Sequence, residues 1–405
     1  MSLLKEGIES KSILRTELTK KLSIDNHTQT YPVYKIRLDQ LYYNDQNDRI
    51  ATWISQYKAE NGVDRFDMAD KEQYNQIIQT FITNSNPDAL KKTQNNIELI
   101  GQQEAGVVLN DGRIIDGNRR FSCLRNLAQK TGQTQYFDAV ILEHDIAHNA
   151  KQIKMLELLL QHGVDKPVDY NPIDRLVGIY NDIVENKLLT VREYAKSVNQ
   201  TDADIEREVE KAKLMVEYLK FINAPKQFYL ARTMDLSESL KDLYSMLKKV
   251  KGNDTSEDLK KSIFAQLSVA PVRDMNRYVR KISKIAANPR MLTNYLDEQM
   301  ETVYKVCDII EQHPVMTEKV INEQIRTQED LQDAFEHSTE KWVSKADGDA
   351  SRNRPAQQAE KAYEMLDTID TNIFKKLSDV QKDDIRSKLD LVQQMLDSIR
   401  SELDV

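Results

Sequence analysis

The chain has 405 residues, 40% of them hydrophobic and 30% charged, with 11 Gly, 9 Pro and 2 Cys. So few turn-forming residues argue for long helices and against an all-β sandwich or barrel. No apolar run approaches the ~20 residues of a membrane span. Cys123 and Cys307 are too few for a disulfide framework or a cysteine-based zinc site, so a reducing cytoplasm is the default compartment and no membrane partner is expected. A net charge of −8 disfavours indiscriminate coating of nucleic acid but leaves room for a local basic face.

Residues 1–30 are polar and weakly patterned and read as an N-terminal extension. Val33 to Leu38 alternates as a short strand does. Ile50, Trp53, Ile54 and Tyr57, then Tyr74, Ile77, Ile78, Phe81 and Ile82, have helical spacing, with a break at Asn84-Ser85-Asn86-Pro87-Asp88. Gly106 to Leu109 and Arg113 to Ile115 flank Asn110-Asp111-Gly112, and Asp-Gly between apolar runs predicts a hairpin. Phe121, Leu124, Leu127 and Ala128 then share a helical face that Gly132 ends, and Phe137 to Leu142 reads as a strand.

Beyond residue 150 every convincing segment is helical. Lys151 to Gln161 is one helix, and Asn171-Pro172 opens another over Ile173 to Glu185. A helix-turn-helix-like segment follows at 189–215, and residues 344–358 have linker composition. The fold class is therefore α+β. A small mixed α/β domain at 31–150 precedes an all-helical remainder, divided into a helical domain at 151–290 and a C-terminal helical domain at 291–405.

Asp116-Gly117-Asn118-Arg119-Arg120 follows the hairpin and opens a helix. A helix N-terminus offers unpaired N–H groups and a positive dipole end. Glycine lets an anion approach the backbone, and paired arginines present forked donors suited to phosphate. The plainer alternative is that Asp116 caps the helix and both arginines are solvated.

The run Ile114 to Phe121 resembles the signature of the ParB/sulfiredoxin superfamily, usually Gly-Glu-Arg-Arg in ParB proteins. In order along the chain, Leu41 to Ile50 resembles that family's Asn-Pro-Arg box. Ile97 to Gln103 resembles its Gly-x-x-Gln-Pro segment, and Asp169 to Asp174 its Leu-Asn-Pro-Ile-Glu box. The resemblance spans about residues 31–230. It implies a nucleotide- or phosphate-binding, DNA-associated regulatory protein of bacterial or phage type, with a CTP-like nucleoside triphosphate and Mg²⁺ as cofactors. Gly117, Asn118, Arg119 and Arg120 would hold phosphates, with Arg49 and Gln103 contributing and Asp116 as a metal or polar ligand. The family's Glu-Asn-x-x-Arg motif has no clean match. Gln161 and His162 are the closest residues and neither carries a carboxylate, so weak NTP turnover at most is expected. Asn118 stands where sulfiredoxins need Cys, which argues against that redox activity. A nuclease or NTPase of the same superfamily and a helical interaction protein with a relic site are the alternatives.

In the helix-turn-helix-like segment Ala195, Val198, Ile205 and Val209 suit the packing of such a motif. Six acids against three bases at 202–217 favour a scaffold over base reading. A better basic face is Arg273, Arg277, Arg280, Lys281 and Lys284, with Pro271 at a first helical position and Met275, Val279, Ile282 and Ala286 on the opposite side. It suits DNA phosphates or an acidic partner. His144 and His148 have the spacing of a metal pair but no obvious third ligand. Two apolar ladders end the chain: Leu366, Ile369, Ile373, Leu377 and Val380, then Ile385, Leu389, Val392, Leu396, Ile399 and Leu403. Their three- and four-residue spacing fits a helical hairpin or a homodimer through C-terminal helices, and Ser378 to Gln381 resembles a capping box.

Overall fold

The computed structural model describes residues 3–24, 27–142, 146–162, 171–250 and 252–403. Two compact units divide the chain, Met1–Val343 and Ser344–Val405.

The first unit opens with helix α1 (Leu3–Glu9) and a long hairpin of β1 (Ile13–Ile24) and β2 (His27–Arg37). Residues 13–24 thus belong to the sheet rather than to an extension. Only Ile13 and Leu22 of β1 are buried, so this edge strand carries almost no alternating pattern to read. Helices α2 (Ala51–Asn61), α3 (Lys71–Ser85) and α4 (Pro87–Ile100) follow. The Asn86 side chain accepts from the Ala89 N–H and caps α4 at the predicted break, a contact worth about 1 kcal/mol.

Strands β3 (Gly106–Leu109) and β4 (Ile114–Asp116) form the Asp-Gly hairpin, helix α5 (Asn118–Thr131) follows, and β5 (Tyr136–Leu142) completes the sheet. The strand order is β1-β2-β5-β3-β4, with β3 parallel to β5 and the other pairs antiparallel. Gly112 has φ +92°, and a Cβ there would lie 2.4 Å from the Gln40 carbonyl oxygen. The turn therefore admits only glycine.

Alternation along β3 and β5 divides the core. Val108, Ile114, Phe137, Ala139 and Ile141 face α2–α5. Val107, Leu109, Ile115, Val140 and Leu142 pack with Leu156 of α6 (Ile146–His162). The sheet is covered on both faces, which accounts for the uninterrupted apolar runs of its central strands.

Asn171 caps α7 (Pro172–Ile179), which continues as a π-helical turn over Tyr180–Glu185. Helices α8 (Val191–Ser197) and α9 (Asp202–Phe221) come next. A second helical core is built from α10 (Phe228–Thr233), α11 (Ser237–Leu247), α12 (Asn253–Val269), α13 (Met275–Ala286) and α14 (Pro289–Glu311). The short α15 (Glu318–Val320) precedes α16 (Glu329–Asp367) and α17 (Asp379–Leu403). The linker expected at 344–358 lies inside α16. The Ser378–Gln381 capping box is present. Ser378 N–H donates to the Gln381 amide oxygen at 3.0 Å, and Gln381 N–H donates back to Ser378 Oγ at 3.4 Å. The first apolar ladder is broken by a 3₁₀ turn, Thr371–Lys376, and is not one helix face. Among the described residues no helix is long and apolar enough to cross a membrane.

Candidate phosphate-binding cleft

The chain passes from β4 into α5 through Gly117, whose φ of +103° is the left-handed conformation glycine adopts without strain. A Cβ on Gly117 would lie 2.7 Å from the tip of the Phe137 ring, and one on Gly106 2.3 Å from it. Phe137 is fully buried and meets Phe121 edge-on at 5.9 Å. One core ring thus fixes both glycines and the start of α5. No side chain caps that start. The alternative in which Asp116 caps the helix is not realised, and the first-turn N–H groups remain available to a ligand.

The α5 N-terminus opens into a cleft of about 610 Å³ lined by Arg49, Lys92, Gln103, Asp116, Gly117, Asn118, Arg119, Arg120 and Gln161, among others. All seven residues expected around a phosphate therefore share one cavity, although they come from separate segments. No carboxylate among the described residues pairs with Arg119. Burial and the neighbouring Arg49 charge hold its guanidinium below the ordinary arginine range. An incoming anion would relieve both effects. Asn118 is only 9% exposed, and its amide oxygen has no hydrogen-bond partner among the described residues. An unmet buried polar group in a cavity wall points to a ligand.

Arg120 is more committed. Its Nη2 donates to Asp116 Oδ2 at 2.9 Å and its Nη1 to the Glu104 carbonyl at 3.0 Å. Asp116 also faces Lys20 at 3.6 Å, so the one residue expected as a metal ligand is held between two cations. Among the described residues no group of three or more His, Cys, Asp or Glu could hold a metal. The donor set does not fit a Mg²⁺ ion held by the protein alone. His144 lies outside the described residues, so the His144/His148 pair has no structural account.

Gln103 sits at the rim and donates to the Ile100 carbonyl at 2.6 Å. Its neighbour Gln102 ties the loop to the sheet, donating to the Asp138 carbonyl and accepting from the Asp138 N–H.

Sequence reading missed the charged cluster behind the cleft. Asn47 caps a short 3₁₀ turn and accepts from the Arg49 N–H, while Asp48 points away into that buried cluster. Lys154 of α6 is 2.8 Å from Asp48, 3.3 Å from Asp182 and 3.9 Å from Glu157. Gln161, on the cleft wall, donates to Glu157 at 3.0 Å. Three carboxylates thus share one cation. Burial first, then their mutual repulsion, raises Glu157 to about 7 and Asp182 to about 8. Beside this cluster, Asp174 of α7 accepts the Thr52 N–H at the start of α2 and is raised to about 6 by burial. The available signal was Lys154 preceding, and Glu157 interrupting, the apolar run Met155 to Leu160.

The second expected site is placed differently. Asp274 caps α13, so Arg273 precedes the helix and Pro271 is not at its first turn. Val279 and Ile282 are buried, with Met275 and Ala286 packed against the same core. Arg277, Arg280, Lys281 and Lys284 line a shallow hollow on the opposite face, where Arg280 pairs with Asp242 at 3.2 Å. In the α8–α9 pair Ala195, Val198, Ile205 and Val209 form the joint between the helices. The exposed side of α9 carries local ion pairs such as Lys213–Glu210 at 2.7 Å.

No family model and no curated protein matches the chain. Among solved structures, the C-terminally truncated chromosome-partitioning protein ParB from Caulobacter crescentus, in complex with CTP-gamma-S, is similar at 14% identity. The match covers 56% of this chain and 97% of that one, with a TM-score of 0.19. A likeness at that score carries no weight beside the geometry of the cleft.

Proposed function

We propose that this protein binds a nucleoside triphosphate, or a ligand with an equivalent run of phosphates, in the cleft at the start of α5. The observation that carries the reading is the convergence of an uncapped helix N-terminus with Arg119, a half-buried cation lacking a carboxylate partner among the described residues. The orphan amide oxygen of Asn118 supplies a second ligand-directed group. A volume of about 610 Å³ lies in the range of small-molecule sites. Binding is favoured over turnover because Asp116 is engaged by Arg120 and Lys20, and phosphoryl transfer depends on a well-held metal and positioned charge. The basic side of α13 extends the reading to a DNA-associated regulator, its cations meeting phosphates without reading bases.

Calorimetric titration with the four ribonucleoside triphosphates, their diphosphates and inorganic triphosphate tests this. Saturable binding that strengthens with phosphate number is expected. No saturable binding of any of them overturns the assignment.

A further inference from the structure

The C-terminal unit carries an interaction surface independent of the cleft. Counted in heptads, α17 places Ile385, Val392 and Ile399 at d and Leu389, Leu396 and Leu403 at a, three repeats with no polar interruption. No described residue of α17 is buried. Exposure of Leu389, Val392, Leu396, Ile399 and Leu403 runs from 37% to 78%. Among the described residues α17 does not pack along the part of α16 that lies in its own unit. Met395 at g and Leu391 at c are 63% and 62% exposed and widen the apolar face beyond a two-stranded seam. A helix of this length, about 37 Å, therefore shows solvent a stripe shaped for other helices of the same period.

We infer that four copies of this chain associate through parallel α17 helices. The occupant is the chain itself, because a 3.5-residue seam is complementary to its own copy. Leucine at every a with isoleucine at two of the three d positions directs parallel coils to three or four strands. A face of a, d and g positions suits a helix with two neighbours rather than one. The flanking charges agree. In the parallel arrangement Lys388 meets Gln393 and Met395 meets Arg400 of a neighbouring copy, with no like charges opposed. The antiparallel one sets Arg386 against Arg400, offset only by Lys388 against Glu402.

Sedimentation equilibrium of the full chain at tens of micromolar is the test. A mass four times the 46.9 kDa of one chain is expected, and a monomer, dimer or trimer overturns the inference. The exchanged seam (Leu389→Ile, Leu396→Ile and Leu403→Ile with Ile385→Leu, Val392→Leu and Ile399→Leu) keeps the apolar character and should halve the mass to a dimer. If that variant, with unchanged helix content by circular dichroism, stays tetrameric, α17 does not set the stoichiometry. Leu396→Asp should yield monomer, and assembly that survives it places the contact elsewhere.

Discussion

Arg119 and Arg120 are neighbours in sequence with different work. Arg119 has no carboxylate partner among the described residues, whereas Arg120 closes a bridge from Asp116 to the Glu104 carbonyl. Losing a charged hydrogen-bond donor costs about 1.5–3 kcal/mol, roughly a tenfold to hundredfold loss of affinity. Arg119→Ala should weaken triphosphate binding by that factor and leave the melting temperature unchanged. Arg120→Ala should weaken binding and also lower stability by about 1 kcal/mol, the scale of a partly exposed ion pair. Calorimetry and thermal melts on both variants separate the roles, and equal melting shifts would count against the distinction. The buried acids give a second residue-scale outcome. Folding raises Asp174 to about 6, Glu157 to about 7 and Asp182 to about 8. Between the ordinary carboxylate range and those values the folded state holds more protons than the unfolded chain, so stability must fall as pH rises through the window. Lys154 is held above its ordinary value by the same acids and stays charged throughout, leaving the sign intact. Melting temperature should therefore decline from roughly pH 5 to roughly pH 8, and Asp182→Asn should flatten the slope. A melting temperature that climbs over that interval would contradict the cluster as described.

At the scale of elements, α13 separates packing from recognition by periodicity alone. Val279 and Ile282 are buried while Arg277 and Lys284 are exposed, so charge can be changed on one side without touching the core. If this face meets DNA phosphates, Arg277→Glu with Lys281→Glu should weaken binding at low salt and reduce the steepness of its salt dependence by about one unit per lost phosphate contact. Circular dichroism should be unchanged, and unaltered DNA affinity would move the contact off α13. Elements with strong local grammar were legible: the Asp-Gly hairpin, α5 after its glycine, β5, the break before α4, the helix start at Asn171 and the capping box at Ser378. In each, a turn residue or an apolar period is satisfied within a few positions. What escaped depends on contacts distant in sequence. β1 is an edge strand with two buried side chains, so no alternation marks it. Arg273 looked helical by spacing, but Asp274 takes the cap and α13 starts only after it. The Asp48–Lys154–Asp182 cluster joins three segments more than 20 residues apart, and in sequence its members resemble ordinary solvated charges. Asp116 to Arg120 were legible because their chemistry is local to one turn; Arg49 and Gln103, which share the cleft, came only through the family resemblance.

For the whole molecule the division at Val343/Ser344 makes separable behaviour an expectation. The cleft is built entirely from residues 47–161. Its supporting contacts come from within the first unit, from Lys20 of β1 and from the segments around Asp174, Asp182 and Arg232, the last stacked 3.9 Å over the Trp53 ring and donating to Thr52. From residue 350 onward no described residue is buried, so that segment supplies almost none of the apolar burial that stabilises the fold. A chain ending after residue 350 should therefore melt within a few degrees of the full chain and bind triphosphate with the same affinity, a change of under ~0.5 kcal/mol being the ordinary scale for contacts outside a core. The same truncation removes α17 and with it the proposed assembly, so its sedimentation mass should be that of a monomer. Concentration separates the two effects. Any melting difference between full and truncated chains should grow with protein concentration, since only association responds to mass action. A truncated chain that loses triphosphate binding at all concentrations would show instead that the C-terminal segment completes the site.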